Sequence, residues 1–197
     1  MESPEVTMRL FRAPCQNDGV AIESGDFELS MDDLRVVARY AVEAAQDVLP
    51  LFEENQPNDR RPRAAVGAAW TFVDGANRTK LQRITALDAH RAAKDATDES
   101  AKHAARAAGD AAAAAYLHPL ANATQVGHIL RAAAHAARAA ELAADCEPSV
   151  GDQHIEQACR RATPALVDVL RRYPLAPTGT SRVAQLMKTL DTSLRSL

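Results

Sequence analysis

The chain has 197 residues and a formal net charge of −3, so it fits one compact domain and lacks the basic surplus of a dedicated nucleic-acid binder. Alanine provides 42 residues and aromatic side chains only 4%, so the 47% hydrophobic fraction overstates the bulk available for a core. This composition excludes a disordered chain, a disulfide scaffold and a membrane protein. It predicts helices that pack closely through small side chains.

Cysteine usage and the N-terminal sequence indicate a cellular compartment. Cys15, Cys146 and Cys159 are far apart and show no C-x-x-C spacing, which is typical of ordinary thiols in a reducing compartment. The N-terminus lacks the apolar segment of a signal peptide, and no stretch of 18 or more residues lacks charged and polar side chains. We therefore predict a cytoplasmic protein that neither spans nor binds a membrane.

The first predicted elements are an irregular arm over residues 1–29 and a helix that follows Ser30. Ser30 and Asp33 have the spacing of a capping box, in which each side chain accepts a backbone N–H of the other residue. Apolar residues then recur at helical spacing over residues 34–48. Pro50 is expected to interrupt or kink this helix.

The second predicted helix begins after Asp59 as its N-cap and ends at Asp74, with Gly75 suited to a left-handed conformation. Four more helices are predicted at about 79–96, 98–117, 121–144 and 152–172, and a final one follows Ser181. Pro164 is expected to kink the sixth helix. No segment shows the alternation of a strand. The prediction is an all-α bundle of about seven helices in antiparallel hairpins, with residues 30–197 as a single domain.

One hexapeptide occurs twice in the alanine-rich helices. His-Ala-Ala-Arg-Ala-Ala covers residues 103–108 and recurs at 135–140, 32 residues later. We favour the interpretation that biased composition produces this match by chance. The second interpretation is quasi-symmetric packing of two equivalent helices.

The turn between the first two helices carries charges that the helix dipoles disfavour. Glutamates lie at a helix C-terminus and arginines at the next N-terminus, and each misplacement costs about 0.3–1 kcal/mol when exposed. The residues are Glu53, Glu54, Asp59, Arg60, Arg61 and Arg63. We interpret Arg60 as a partner contact and the other five as structural ion pairs. Replacing Arg63 by alanine is expected to lower stability, whereas replacing Arg60 is expected to weaken partner binding instead.

A set of polar side chains near the junction of the fourth and fifth helices is the candidate ligand site. A carboxylate, a phenol and imidazoles could form a polar pocket there, and the members are Asp110, Tyr116, His118, His128 and His135. No metal site is predicted, because His128 and His135 lie about 10.5 Å apart along a helix axis. No cofactor is predicted either, since the chain has no phosphate-binding loop.

Four of the polar residues of the fifth helix share one face. His128, Arg131, His135 and Arg138 recur at intervals of three and four residues. Such a stripe could line a groove for an acidic ligand. We favour the simpler interpretation that it is the solvated face of a surface helix.

Residues 48–63 carry the pattern LPLFE followed by P-x-D-x-RPR, and related segments occur at 89–94, 104–109 and 167–174. In these segments, over about residues 30–195, the sequence resembles the Imm-five-like family of immunity proteins, and most closely an actinobacterial branch. The members are alanine-rich helical proteins proposed to neutralise toxins of bacterial polymorphic toxin systems. Many carry histidine after the glycine of the fourth helix, whereas Asp110 follows Gly109 here.

The resemblance implies a non-catalytic cytoplasmic binding protein whose partner is a protein toxin. The alternative is a small-molecule-binding protein or an enzyme that uses the polar pocket, so the enzyme question stays open although a non-catalytic role is favoured. Similar sequences sometimes carry the label of the exonuclease subunit SbcC, but this chain has neither nucleotide-binding motifs nor a long coiled coil. The alanine faces could pack within one chain or across a homodimer.

Overall fold

The computed structural model describes residues 26–197, and within this range the chain forms eight α-helices, two short 3-10 turns and no strand. The helices are α1 Met31–Asn55, α2 Arg61–Val73, α3 Lys80–Asp95, α4 Glu99–Ala113, α5 Val126–Ala143, α6 Pro148–Arg161, α7 Pro164–Arg171 and α8 Arg182–Arg195. The predicted all-α bundle is confirmed. The predicted arm over residues 1–29 lies almost wholly outside the described residues.

Helix α1 begins with the predicted capping box. The Ser30 hydroxyl accepts the Asp33 N–H, and the Asp33 carboxylate accepts the Ser30 N–H, each at 3.0 Å. Pro50 does not end this helix, which continues to Asn55. The helix persists because Leu49 and Phe52 on either side of the proline are buried in the core, while Pro50 itself faces solvent.

Helix α2 begins one residue later than predicted. Arg60 holds the N-cap position without a side-chain cap, but the Asp59 carboxylate still accepts the Arg61 N–H at 3.0 Å. The helix ends at Val73, with Asp74 at the C-cap. Gly75 has a φ of 105°, the left-handed conformation that its place after the helix predicted.

The predicted sixth helix is two helices, which is why residues 26–197 form eight helices rather than seven. Pro164 does not kink a continuous helix, because Thr163 before it adopts an extended conformation with a ψ of 156°. The Thr163 hydroxyl then accepts the Leu166 N–H at 3.2 Å and caps α7. Helix α6 also begins earlier than predicted, at Pro148, since the Glu147 side chain caps it.

Helices α4 and α5 lie side by side at the centre of the bundle. Helix α4 packs against α1, α2 and α3, and α5 packs against α1, α6 and α8. Their alanines are almost all buried, including Ala104, Ala108 and Ala137 with no exposed surface. The small side chains therefore pack within one chain, as close helix contact requires. No helix of residues 26–197 has the length and apolar character needed to cross a bilayer.

Candidate functional site

A buried polar cluster lies where α3, α4 and α5 meet. Asp110 of α4 points toward His90 of α3 and toward Arg131 and His135 of α5. Its Oδ1 lies 3.7 Å from His90 Nε2 and 3.8 Å from Arg131 Nη1, and its Oδ2 lies 3.8 Å from His135 Nε2. These separations are ion-pair distances that are too long for hydrogen bonds.

The Asp110 carboxyl is buried without the hydrogen bonds that usually accompany such burial. Its Oδ2 is inaccessible to solvent and has no hydrogen-bond partner among the described residues. Burial raises the pKa of Asp110 to about 7, although the charges of Arg131 and Arg106 act in the opposite direction. This carboxyl therefore changes its charge state near neutral pH, as functional groups in buried sites often do.

The two histidines of the repeated hexapeptide meet each other. His103 Nδ1 and His135 Nδ1 are 2.8 Å apart, so one ring donates a hydrogen bond to the other. Burial lowers the pKa of His103 to about 4 and that of His135 well below its ordinary value. The copies at 103–108 and 135–140 thus face one another across the α4–α5 contact, which is the quasi-symmetric arrangement.

Arg106 and Arg138, the arginines of the two hexapeptide copies, line a cavity of about 490 Å3 between α4, α5 and the start of α8. We call it the arginine cavity. Its lining combines cationic, imidazole, hydroxyl and apolar side chains, from His103, Arg106, Arg131, His135, Arg138, Ser181, Arg182, Val183, Ala184 and Met187. Among residues 26–197, no carboxylate lines it. The stripe of α5 is therefore not a simple solvated face, because Arg131, His135 and Arg138 all line a cavity.

Two of the four arginines are held by one buried carboxylate. Glu141 is 2% exposed; one of its oxygens accepts a hydrogen bond from Arg138, and the other accepts one from Arg182 Nε at 2.9 Å. Arg182 also donates to Asp152 at 3.1 Å. Glu141 packs directly on Gly151 of α6, where an added Cβ would lie 2.3 Å from Oε2. This network fixes α8 against α5 and α6.

The other two arginines, Arg106 and Arg131, lack such anchoring. Arg131 folds back over Gly127 and has Asp110 as an ion-pair partner at 3.8 Å. Arg106 is half-buried and makes no hydrogen bond or ion pair with any described residue. A half-buried guanidinium without an anion is uncommon, since burial penalises an unpaired charge.

The structure gives the five residues of the predicted polar pocket different local contacts. Asp110 and His135 belong to the buried cluster, whereas the Tyr116 hydroxyl donates to the Thr79 carbonyl at 2.7 Å. His118 binds Gln125 and Tyr173 through its backbone, at 3.0 and 2.9 Å. Burial and the charge of Arg131 lower the pKa of His128 to about 4, and His118 contributes to this effect. His128 does not line the arginine cavity.

The charged turn forms specific ion pairs. Arg61 binds the Asp59 carboxylate through two nitrogens and reaches Asp95 at the end of α3, at 2.8 Å. Arg63 pairs with Glu53 of α1, which lowers the pKa of that glutamate. Glu54 and Arg60 are exposed. The roles of Arg60 as a partner contact and of the others as structural residues stay predictions.

Sequence reasoning missed His90, His103, Arg106 and Arg182 as members of the site. The repeated hexapeptide contained the signal for His103 and Arg106, because its copies place histidine and arginine at equivalent positions of two neighbouring helices. Nothing in the local sequence indicates that His90 or Arg182 joins them, since both come from other helices. Across residues 26–197 no group of three or more histidine, cysteine and acidic side chains has the arrangement of a metal site.

Comparison with known proteins gives one relationship. A family model described as "Imm-5 like putative immunity protein" matches residues 28–165, which include α1 to α6 and the whole buried cluster. The matched range ends before α8, whose first residues line the arginine cavity. No curated protein and no solved structure matches the chain.

Proposed function

Because the chain belongs to the Imm-5 like immunity protein family, we propose that it binds a protein toxin in the cytoplasm and neutralises it without catalysing a reaction. The observation that carries this proposal is an apolar surface on the outer side of α3. Leu81, Ile84 and Leu87 are 48%, 54% and 51% exposed, whereas most large apolar side chains of residues 26–197 are buried. Exposed apolar side chains grouped on one helix face are typical of protein interaction sites.

The three residues share one face because they are three residues apart on a helix. They lie inside the range that matches the immunity family. Lys80 and Arg91 flank them on the same face, at helical spacing from Ile84 and Leu87. We call this set, Leu81, Ile84, Leu87, Lys80 and Arg91, the α3 surface.

Charge around the α3 surface indicates what the partner presents to it. The basic side chains exposed on α3 are Lys80, Arg83, Arg91 and Lys94. The two acidic residues of this helix are already engaged, because Asp88 accepts a hydrogen bond from Arg91 and Asp95 accepts one from Arg61. The surface therefore favours a partner with an apolar centre and an acidic rim.

The test begins with the genes on either side of this one in its source genome, and a toxin domain encoded there is the partner used. The chain is co-expressed with that domain, and growth and co-purification are measured. The parent chain should restore growth. Replacing Ile84 and Leu87 together by aspartate should weaken the complex by roughly 100-fold or more, because two charges would be buried at an apolar contact.

The matched control replaces Leu175, which is 68% exposed on the linker before α8, by aspartate. This variant should restore growth like the parent, and all three proteins should melt at similar temperatures because the altered residues face solvent. Growth restored by the Ile84 and Leu87 variant would contradict the role of the α3 surface. Failure of the parent to bind the neighbouring toxin would contradict the immunity function itself.

A further inference from the structure

The arginine cavity is a second site, separate from the α3 surface. We propose that it binds a small organic molecule that carries a phosphate group. The proposal does not rest on toxin binding, because the cavity is formed by α4, α5 and α8 whereas the α3 surface faces solvent on another helix.

The charge of the cavity is the first argument. Four guanidiniums line it, and the only carboxylates that hydrogen-bond to them within residues 26–197 are Glu141 and Asp152, which hold Arg138 and Arg182. Arg106 makes no hydrogen bond or ion pair with an acidic residue of this range, and Arg131 has only the distant Asp110. The cavity therefore carries a net positive charge that a bound anion would balance.

Pre-organisation of the cationic groups is the second argument. Arg138 and Arg182 are fixed by their shared partner Glu141, which leaves part of each guanidinium fork facing the cavity. The N-terminus of α8 enters the cavity with Ser181, Val183 and Ala184, and its helix dipole adds positive potential there. Charged groups held before the ligand arrives lose little conformational freedom on binding.

The size and the apolar wall of the cavity indicate more than a free ion. A volume of about 490 Å3 lies within the range of about 300–1,000 Å3 that is typical of sites for small organic ligands. Val183 and Met187 of α8 form an apolar wall beside the arginines. This combination suits a ligand with an organic body next to α8 and a multiply charged group next to α4 and α5.

A phosphate group fits this charge arrangement better than a single carboxylate. Phosphate carries up to two negative charges near neutral pH and three acceptor oxygens, so several guanidinium forks can bind it at once. Arg106 and Arg131 donate no hydrogen bond to any described residue, so their guanidiniums can complete the contact. The phosphate should therefore lie between them and the imidazoles of His103 and His135.

Isothermal titration calorimetry with phenyl phosphate, inorganic phosphate and benzyl alcohol tests the proposal at constant ionic strength. Phenyl phosphate should bind the parent chain with one-site saturation, more tightly than inorganic phosphate, and benzyl alcohol should not bind. Replacing Arg106 by glutamine should weaken phenyl phosphate binding by roughly tenfold or more, because a charge-assisted hydrogen bond is lost.

Two further variants separate a specific site from general electrostatic attraction. Arg160 is exposed on α6 outside the cavity, so Arg160→Gln removes the same charge and should leave binding within about twofold of the parent. Val183→Gln should weaken phenyl phosphate binding but not inorganic phosphate binding, because Val183 belongs to the apolar wall and is only partly buried. Melting temperatures measured in parallel show whether each variant is folded.

Three results would overturn the proposal. The first is no saturable binding of phenyl phosphate by the parent chain. The second is equal weakening by Arg106→Gln and Arg160→Gln, since the attraction would then come from overall charge alone. The third is a single-stranded oligonucleotide that displaces phenyl phosphate and binds more tightly, because the ligand would then be a nucleic acid. The Ile84 and Leu87 variant should bind phenyl phosphate like the parent, so failure here is distinguishable from failure of toxin binding.

Discussion

The surroundings of Asp110 disfavour the charged form of its carboxyl group. Its carboxyl is buried beside two imidazoles and one guanidinium, yet none of these groups lies within hydrogen-bond distance. A carboxylate in such a place costs free energy because water no longer solvates it. The raised pKa of Asp110 is the consequence, since the neutral form is easier to bury.

We predict that Asp110 makes stability depend on pH in a specific direction. Its pKa is about 7 in the folded chain against an ordinary value of 3.8, so its contribution to the unfolding free energy is fully present below pH 3.8 and is lost as the pH rises through 7. A pKa difference of this size corresponds to about 4 kcal/mol. Asp110→Asn should therefore gain stability relative to the parent as the pH rises.

Urea unfolding of the two proteins at several pH values measures this gain. His103 has a lowered pKa and no ion pair with Asp110, so its opposite contribution, which is lost as the pH falls below 6.5, is present in both chains and cancels in the comparison. A stability difference between parent and variant that stays constant with pH would show that Asp110 does not titrate in this window.

The charged turn gives a second prediction at the residue scale. Arg61 joins the start of α2 to Asp59 and to Asp95 of α3, whereas Arg60 is exposed and forms no ion pair in the described part of the chain. Arg61→Ala should lower the unfolding free energy by about 1 kcal/mol, the upper end for partly exposed ion pairs. Arg60→Ala, the matched control, should change it by less than about 0.5 kcal/mol.

Thermal and urea unfolding of both variants provide the measurement. Arg63→Ala should also lower stability because it removes the partner of Glu53, but the effect should be smaller than for Arg61 since the Arg63 side chain is 57% exposed. Equal stability of the Arg60 and Arg61 variants would contradict a structural role for the pairing.

At the scale of elements, close packing of α3 against α4 depends on a glycine. A Cβ added to Gly109 would lie 2.9 Å from the His90 ring, which is too close for an ordinary contact. The absent side chain therefore gives His90 the space in which it approaches Asp110. Glycine within a helix normally costs about 1 kcal/mol relative to alanine. Gly109 therefore lowers the stability of α4 but allows the close contact with the His90 ring.

A double-mutant cycle tests this explanation. Gly109→Ala should give no stabilisation in the parent chain, because the His90 ring must move, but should stabilise the His90→Ala variant by about 1 kcal/mol. Gly67→Ala in α2 is the control, since nothing lies within 4 Å of its added Cβ. It should stabilise both backgrounds by roughly 0.5–1 kcal/mol. Equal effects of Gly109→Ala in both backgrounds would contradict the steric role of His90.

At the scale of the whole molecule, α8 closes a cavity that the rest of the bundle leaves open. Helices α4 and α5 supply histidines and arginines at equivalent positions, and Arg182 with its neighbours supplies the facing wall. The buried carboxylate of Glu141 connects the two sides through Arg138 and Arg182. The α3 surface and the arginine cavity thus lie on different elements of one bundle, and we expect that each can be altered without the other.

The sequence by itself determined the helices and most of their ends. The capping box at Ser30, the left-handed Gly75 and the caps at Thr79 and Ser181 depend on residues close in the chain, so local rules predict them. Local rules were less accurate at prolines. Helix α1 continues past Pro50 because the residues on either side of the proline are buried. In contrast, Thr163 before Pro164 is extended, so α6 ends there and a separate helix begins.

Only the tertiary structure decided which polar residues meet. His103 and His135 are 32 residues apart, and the contact of their rings depends on the register between α4 and α5. His90 and Arg182 join from two further helices, and Tyr116 turns away to Thr79 although it is close to Asp110 in the chain. Helical periodicity specifies the face on which a side chain lies, but the neighbour of that face is set by the packing of the entire bundle.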